Sequence, residues 1–477
     1  MTYLLNPAIR GQPRYIREGR CMQKAASWAT VWPPITLAQL AAIARNHSEV
    51  RLVDGNVEDW TLEGLIEDVR RSKADLVVVS TGFPSIDADM AAAEAIKQAM
   101  PTARVVGFGA YFTLLDEKSM EGYPFLDAAI AGEPEETFAE LVAAVARGTH
   151  NFESIPGLLL HKAGRVISTG PRPLIDDLDT LPFPDRTLLR NDRYRLPHND
   201  RPFTLVNTSR GCPFPCTFCI VKPYYGGRVR RHSLEYILRE IQECVARHGL
   251  REFLFWEEVF TLDKEFVLQF CQGLRERGLN IAWAATTRAT SVEEESLRAM
   301  KQAGCYLLGL GIESSSQAIL DRAKKQQTVA DVQRAVALCR KVGVKTMGHC
   351  IFGLPGETPQ TAQATIRFMT RLNLDYMQCY CAVPYPKTEL GKQARAKGWI
   401  TARAWSQYDF GGESIMDLDT ITGEEVSRFR RQAFRRFYLR PIYLLKAAFG
   451  SFSVRRLFTL LKFREWIGRP ATKRRDS

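Results

Sequence analysis

Thr208-Ser209-Arg210-Gly211-Cys212-Pro213-Phe214-Pro215-Cys216-Thr217-Phe218-Cys219 places three cysteines at i, i+4 and i+7. Two prolines and a glycine hold the stretch off both helix and sheet, so its thiols can converge on one point. Just upstream, Phe203-Thr204-Leu205-Val206 reads as a strand that delivers the chain into the loop. Convergent thiolates suit a soft metal. A structural zinc ion takes four ligands, and no fourth Cys or His stands at finger spacing. An iron–sulfur cluster held by three thiolates would leave one iron open. The competing reading is three buried cysteines in a loop.

The C-x3-C-x2-C spacing resembles the cluster motif of the radical S-adenosylmethionine (SAM) superfamily. That resemblance implies a [4Fe–4S] cluster on Cys212, Cys216 and Cys219, with SAM chelating the open iron. Further along, apolar runs read as strands at Glu252–Trp256, Ile281–Ala284, Tyr306–Leu310, Thr346–Phe352 and Tyr376–Cys381, separated by helical patterns. Repeated βα units of this length suit a partial or full barrel, whose chemistry sits at the strand C-termini. The segments at those ends are Trp256-Glu257-Glu258, Thr287-Arg288, Gly309-Leu310-Gly311-Ile312-Glu313 and Gly353-Leu354-Pro355-Gly356-Glu357. They resemble, in order, the SAM-contacting segments of the superfamily. By that resemblance Glu257 and Glu258 lie near the amino end of SAM, Glu313 near its ribose and Phe218 beside adenine. Arg288, Gly311, Gly353, Gly356 and Glu357 complete the expected SAM site. Carboxylates suit an ammonium and hydroxyls, and glycine lets backbone approach a ligand. Lys387 stands where relatives carry a glycine. Cys244, Cys271 and Cys339 fall on apolar helix faces and read as core residues.

Residues 1–150 also alternate strands and helices: Tyr3–Leu5, Val50–Asp54, Leu76–Ser80, Arg104–Gly109 and Asp127–Gly132 are the strands. The pattern predicts a doubly wound parallel sheet, with ligands beyond the strand carboxyl ends. Those ends are Ser80-Thr81-Gly82, Gly107-Phe108-Gly109-Ala110-Tyr111 and Gly132-Glu133. Val105 to Thr113 and Ala131 to Thr137 resemble the cobalamin-binding domain that precedes many radical SAM domains. The resemblance implies cobalamin held by Ser80, Thr81, Gly82, Gly107, Gly109, Tyr111, Gly132 and Glu133. The Asp-x-His-x-x-Gly signature of histidine-ligated cobalamin is absent, and Tyr111 replaces a frequent histidine. The aromatic stretch from Gly19 through Trp28 and Trp32 reads as a wall of a cofactor cavity or a loop at a domain interface. Residues 151–198 read as a connector with a small hairpin around Lys162-Ala163-Gly164, residues 199–400 as the barrel, and 401–477 as a helical, basic tail.

The 477 residues carry a net charge of +12, with 45% hydrophobic and 25% charged residues. From Arg428 onward the chain holds 15 of the 65 Lys/Arg and 2 of the 53 Asp/Glu, so the rest is near neutral. A neutral body argues against a broad nucleic-acid-binding face. Eleven scattered cysteines and the absence of a visible signal peptide suggest the cytoplasm. In the tail, Phe434, Phe437, Tyr438 and Ile442 to Leu445 interleave with arginines, as a helix on an anionic membrane surface would. The two resemblances together, covering about residues 1 to 400, imply cobalamin-dependent radical SAM chemistry on a small-molecule or lipid-like substrate. By that implication a 5′-deoxyadenosyl radical removes a hydrogen from an unactivated carbon, and C-methylation is the leading outcome. An external donor such as flavodoxin or ferredoxin would reduce the cluster. Cyclisation or rearrangement of a tetrapyrrole, lipid or natural product is the alternative. A tRNA-modifying methylthiotransferase fits less well, because the first 150 residues contain only Cys21. A non-catalytic cobalamin- or cluster-binding protein is the remaining reading.

Overall fold

The computed structural model describes residues 1–25, 30–149 and 151–441. Its first sheet begins with β1 (Thr2–Asn6), β2 (Val50–Asp54), β3 (Leu76–Thr81), β4 (Arg104–Gly109) and β5 (Ala128–Ile130). All five run parallel in the order β2-β1-β3-β4-β5. Alternate residues of one strand enter different cores: Val77 and Val79 join one cluster, Leu76 and Val78 the other. Helices on both faces therefore bury these strands completely, which explains their continuous apolar sequence. The order reverses between β1 and β3, so a crevice opens beyond Asn6 and Thr81. Two antiparallel strands, β6 (Leu158–Lys162) and β7 (Arg165–Ser168), extend the sheet from β5. They form the hairpin expected around Lys162-Ala163-Gly164.

The second sheet holds β8 (Phe203–Asn207), β9 (Glu252–Trp256), β10 (Ala282–Arg288), β11 (Cys305–Glu313), β12 (Lys345–Phe352) and β13 (Tyr376–Cys381). These strands are parallel and pair in sequence order, and β8 and β13 stay apart as the two edges. The result is a partial barrel with helices outside. An aromatic group of Phe255, Phe260, Phe270 and Trp283 packs between β9, β10 and their helices, with centroids 5.1–5.9 Å apart. Cys244, Cys271 and Cys339 lie fully buried in that core, as their helix faces require.

Three features depart from the expectation. Thr287 and Arg288 belong to β10 instead of following it, and β11 continues through Glu313 with a register shift after Gly311. Gly19-Arg20 forms the tip of an antiparallel hairpin, Tyr15–Glu18 with Cys21–Lys24. Its polar side chains gave no strand signal because they are buried on partners distant in sequence. The helix expected after Thr422 runs from Gly423 to Tyr438, opened by a Thr422/Glu425 capping box. Phe434, Phe437 and Tyr438 are buried, and the Tyr438 hydroxyl donates to Met377 O at 2.7 Å. Those aromatic groups thus cap the barrel and present no apolar face to lipid. Residues 442–477 and Trp28 lie outside the described residues. Among the described residues no helix is long and apolar enough to cross a membrane.

Candidate active site

The cysteine loop is pinned at both ends. Ser209–Arg210 pairs antiparallel with Arg230–Arg231. Gly211 has φ +91°, and a Cβ there would overlap the Arg228 carbonyl, so the turn demands glycine. Farther on, Thr217 N donates to Ala323 O at 3.0 Å and Thr217 O accepts from Leu390 N at 2.9 Å. Eight of the eleven cysteines are buried; Cys212, Cys216 and Cys219 are the three left partly exposed. Among the described residues no three His, Cys, Asp or Glu side chains close on a point as ligands of one ion do. Thiolates on a single zinc, with bonds of about 2.3 Å, would crowd together. A cluster gives each cysteine its own iron and accepts a wider spacing.

Arg288, at the end of β10, reaches this loop. Its Nη1 lies 3.6 Å from Cys216 Sγ, and the guanidinium stacks 3.8 Å from the Phe214 ring. Nη2 donates to the carbonyls of Lys325 and Gln326. Nε is buried without a partner, an unmet donor of the kind a polar ligand beside the cysteines would satisfy. The donor set and this orphan fit a cluster with a polar molecule on it. Phe218 is partly buried against the barrel core.

The adjacent glutamates divide. Glu257 accepts from Thr208 Oγ1 and from Arg231 Nη1 and Nη2, the latter two at 3.1 and 2.7 Å. Glu258 instead pairs with Arg20 from the hairpin tip, whose guanidinium lies 4.5 Å over the Trp256 ring. Burial pushes both carboxyls above their ordinary range, against the nearby guanidiniums. Only Glu258 also acts on the cluster cysteines. Burial, then Glu258, pushes the Cys219 thiol up to about 12, and both raise Cys212. Metal binding must displace those protons.

Glu313 closes β11 at φ +63° and pairs with Lys325 Nζ at 2.6 Å, both side chains buried. A left-handed glutamate at a strand end is costly and marks a site held by its surroundings. Gly311 lies beneath this pair: a Cβ would meet Lys325 Nζ at 2.7 Å and Glu313 Oε1 at 2.8 Å. Gly353 and Gly356 both have positive φ, and Arg322 lies across Gly356. The Glu357 carboxylate turns inward and accepts from Gly353 N, so it shapes the loop. Burial pushes it up to about 8. The folded chain therefore holds a proton there that the unfolded chain has released above about pH 5. Stability from this group is complete below the unfolded value and is lost as pH rises toward 8. Thermal melts from pH 5 to 8.5 should show Glu357→Gln declining less steeply than the parent chain.

His349 was not singled out by its sequence context. It lies on β12 with Nδ1 3.3 Å from Tyr380 OH and its ring parallel to that tyrosine. Burial, then Arg20 and Lys325, pushes it down to about 4, so it is neutral near pH 7. The signal available was the alternation of β12, where Cys350 and Phe352 face the core and His349 faces away from it.

Beyond the first sheet, the expected cobalamin residues separate into two kinds. A Cβ on Gly107 would overlap Phe112, and one on Gly109 would overlap Thr81 O, so packing alone requires these glycines. Thr81 Oγ1 donates to Phe108 O at 2.9 Å, and Ser80 is buried. Gly132 does face space, since a Cβ there would meet nothing within 4 Å, whereas a Cβ at Gly82 would rest in ordinary contact on Met22 and Ser85 at 3.4–3.6 Å. Tyr111 packs edge-on against Phe83 with centroids 5.3 Å apart. Phe83 also meets Tyr385, Trp405 and Tyr408 at 5.3–5.8 Å, an aromatic wall joining the sheet to the barrel's exit. Gly132, whose N–H donates to Thr113 Oγ1 at 3.0 Å on the short helix that carries Tyr111, leaves open space beyond β5 that fits the approach of a ligand. The crevice between β1 and β3 is crossed by Arg17, which pairs with Asp89 at 2.6 Å.

Glu133 has a different role in the structure: its oxygens accept from Arg230 at 2.8 and 2.7 Å and from Ile175 N at 3.0 Å. Burial would raise its pKa, but Arg230 and Arg210 outweigh it and hold the carboxyl below the usual range. Arg210 also pairs with Glu135 at 2.6 Å. Both arginines flank the cysteine loop, and both glutamates open the helix Pro134–Ala146. Four buried charges thus lock the first sheet to the metal loop. Lys387, at φ +63°, adds a second tether: its Nζ donates to Thr113 O and meets Asp116, each at 2.7 Å.

Family models match in two blocks: the Radical SAM superfamily over residues 206–369 and the B12 binding domain over residues 25–142. An uncharacterized methyltransferase of Pyrococcus horikoshii is 34% identical over 420 residues, 88% of this chain and 91% of that protein. The anaerobic magnesium-protoporphyrin IX monomethyl ester cyclase of Rubrivivax gelatinosus is 27% identical across 87% of this chain and 75% of its own length. Among solved structures, the cobalamin-dependent S-adenosylmethionine radical enzyme OxsB, with aqua-cobalamin and S-adenosylmethionine bound, shares the fold. Its TM-score is 0.75 at 15% identity, covering 98% of this chain and 71% of that one.

Proposed function

This chain belongs to the radical SAM superfamily, in the branch that carries a B12-binding domain, and from that premise we propose that it methylates an unactivated carbon of a small-molecule or lipid-like substrate. The observation that carries this reading is the set of three partly exposed cysteines beside Glu258 and the unpartnered Arg288 Nε. When bound, the cluster with SAM supplies a hydrogen-abstracting 5′-deoxyadenosyl radical, and cobalamin supplies the methyl group. Cys212, Cys216 and Cys219 would hold the cluster. Glu258 would take the ammonium of SAM in place of, or shared with, Arg20. The Glu313–Lys325 pair would meet the ribose hydroxyls, and Arg288 would fix SAM against the Phe214 side of the loop. Gly82, Gly132 and the Phe83–Tyr111 wall would shape the cobalamin space. Neutral His349 leaves an acceptor nitrogen for a substrate hydroxyl or amide.

Similarity to the cyclase favours a second reading, oxidative ring closure on a porphyrin ester. The test is anaerobic turnover with trideuteromethyl-labelled SAM and methylcobalamin against candidate tetrapyrroles and lipids. Label in a new C–CH3 product supports methylation, whereas an unlabelled product two hydrogens lighter supports cyclisation. We further propose that residues 442–477 bring the enzyme to anionic lipid. Full-length protein should co-sediment with phosphatidylglycerol vesicles at low salt, and a chain ending at 441 should not.

A further inference from the structure

The hairpin Tyr15–Lys24 carries one cation from the first domain into the mouth of the barrel. Its turn is the two residues Gly19-Arg20, since Glu18 pairs with Cys21 across it. Gly19 has φ +53°, and a Cβ there would meet the Tyr225 hydroxyl at 2.6 Å and Trp256 Nε1 at 3.5 Å, so the tip lies close against both rings. Tyr225 closes the helix Val221–Tyr225, which starts two residues after Cys219. The strand behind the tip is pinned within the first domain. Arg17 donates to Asn6 Oδ1 at 3.0 Å, Ser85 Oγ at 2.9 Å and Asp89 Oδ1 at 2.6 Å. Glu18 accepts from Thr36 N at 3.2 Å. Arg20 is therefore set in place before any ligand arrives. Its bonding differs from that of the neighbouring cations. Arg231 gives two N–H groups to Glu257, Lys325 pairs with Glu313, and Arg288 Nη2 donates to two carbonyls. Arg20 and Glu258 have each other as ion-pair partner and, among the described residues, no second one. Arg20 Nε is buried without a hydrogen-bond partner. Both charges are felt at the third cysteine: burial and then Glu258 raise the Cys219 thiol, and Arg20 opposes them.

We propose that Arg20 binds the carboxylate of SAM while Glu258 takes its amino group. The inference deepens the SAM reading above and rests on it. A cation and an anion side by side, each with no second ionic partner, match the two ends of an α-amino acid. When the zwitterion enters between them, each side chain exchanges one opposite charge for another, and neither is stranded. The planar fork of a guanidinium suits a carboxylate better than a point charge does. Arg20 belongs to the first domain and Glu258 to the barrel, so the two domains grip opposite ends of one small group. The SAM site is then complete only when the first domain is docked, and the hairpin is the piece that completes it.

The test measures binding and not turnover. Full-length reconstituted protein is dialysed to equilibrium, anaerobically and without reductant, against SAM and against decarboxylated SAM, which keeps the amino group. Arg20→Met should lose affinity for SAM about 10–100-fold, the worth of a hydrogen bond to a charged group, and keep the parent's affinity for decarboxylated SAM. Any contact of the carboxylate with the cluster is common to both chains and cancels from the ratio of the two ligands. Arg20→Lys keeps a cation beside Glu258 and serves where Arg20→Met fails to fold; its smaller loss should again fall on SAM alone. Equal losses with both ligands would mean that Arg20 only shapes the site, and would overturn the proposal. Unchanged or tighter SAM binding in Arg20→Met would overturn it too, as would the same discrimination appearing in Arg288→Met and not in Arg20→Met. A parent chain that binds neither ligand would overturn the SAM reading itself.

Discussion

Arg210→Met should lower the free energy of unfolding by about 3–5 kcal/mol, the usual cost of stranding buried partner charges. Arg210 is 7% exposed, and its partners Glu133 and Glu135 are 5% and 1% exposed. Removing it leaves Glu135 without its bidentate cation and Glu133 with Arg230 alone. The loss should exceed that of any surface pair such as Arg71–Glu67, for which about 0.3–0.5 kcal/mol is typical of helix pairs. Because Gly211 and Cys212 follow directly, the cluster should also form less completely in the variant. Denaturant titration of the apoprotein checks the first effect, and iron content after reconstitution checks the second. A shift under about 1 kcal/mol would mean that water reaches these charges and that the lock between sheet and loop is loose.

Exchanging each adjacent glutamate for glutamine should produce opposite phenotypes. Glu258→Gln should weaken SAM binding roughly 10–100-fold, since a hydrogen bond to a charged group contributes about 1.5–3 kcal/mol. Its stability should change little, because Arg20 is partly exposed and can turn to solvent. Glu257→Gln should instead cost stability by about 2–3 kcal/mol, because Arg231 and Thr208 lose a buried acceptor. Its SAM affinity should stay near that of the parent. Equilibrium dialysis with SAM and melting curves on both variants separate the two roles. The reversed pattern would assign the SAM ammonium to Glu257.

Much of the fold was legible because most strands carry a run of β-branched, aromatic or other apolar residues between helical patterns. Val50–Asp54, Arg104–Gly109, Glu252–Trp256 and Tyr376–Cys381 have the boundaries their sequences suggest. The cysteine loop was legible from spacing and proline alone. What stayed hidden depends on partners far apart in the chain. Nothing local to Tyr15–Lys24 announces a hairpin, since Arg17 is stabilised by Asp89 and Asn6, and Arg20 by Glu258. Nor does Glu133 reveal that it faces Arg230, 97 residues away, and not a ligand. Gly107 and Gly109 look like ligand room in sequence, yet Phe112 and Thr81 fill the space beside them. A single sequence also cannot say which of Glu257 and Glu258 turns toward the cysteines, because both sit beyond the same strand end and the choice is made by Arg231 and Arg20.

The most direct test of the central claim is 5′-deoxyadenosine release by anaerobically reconstituted protein given SAM and dithionite. The account predicts an oxygen-sensitive brown chromophore near four irons per chain, as a [4Fe–4S] cluster requires, and nucleoside formation that depends on it. The Cys212→Ala/Cys216→Ala/Cys219→Ala chain should lose both. A parent protein that takes up iron and sulfide yet leaves SAM intact, or a triple variant that still cleaves it, would contradict the account.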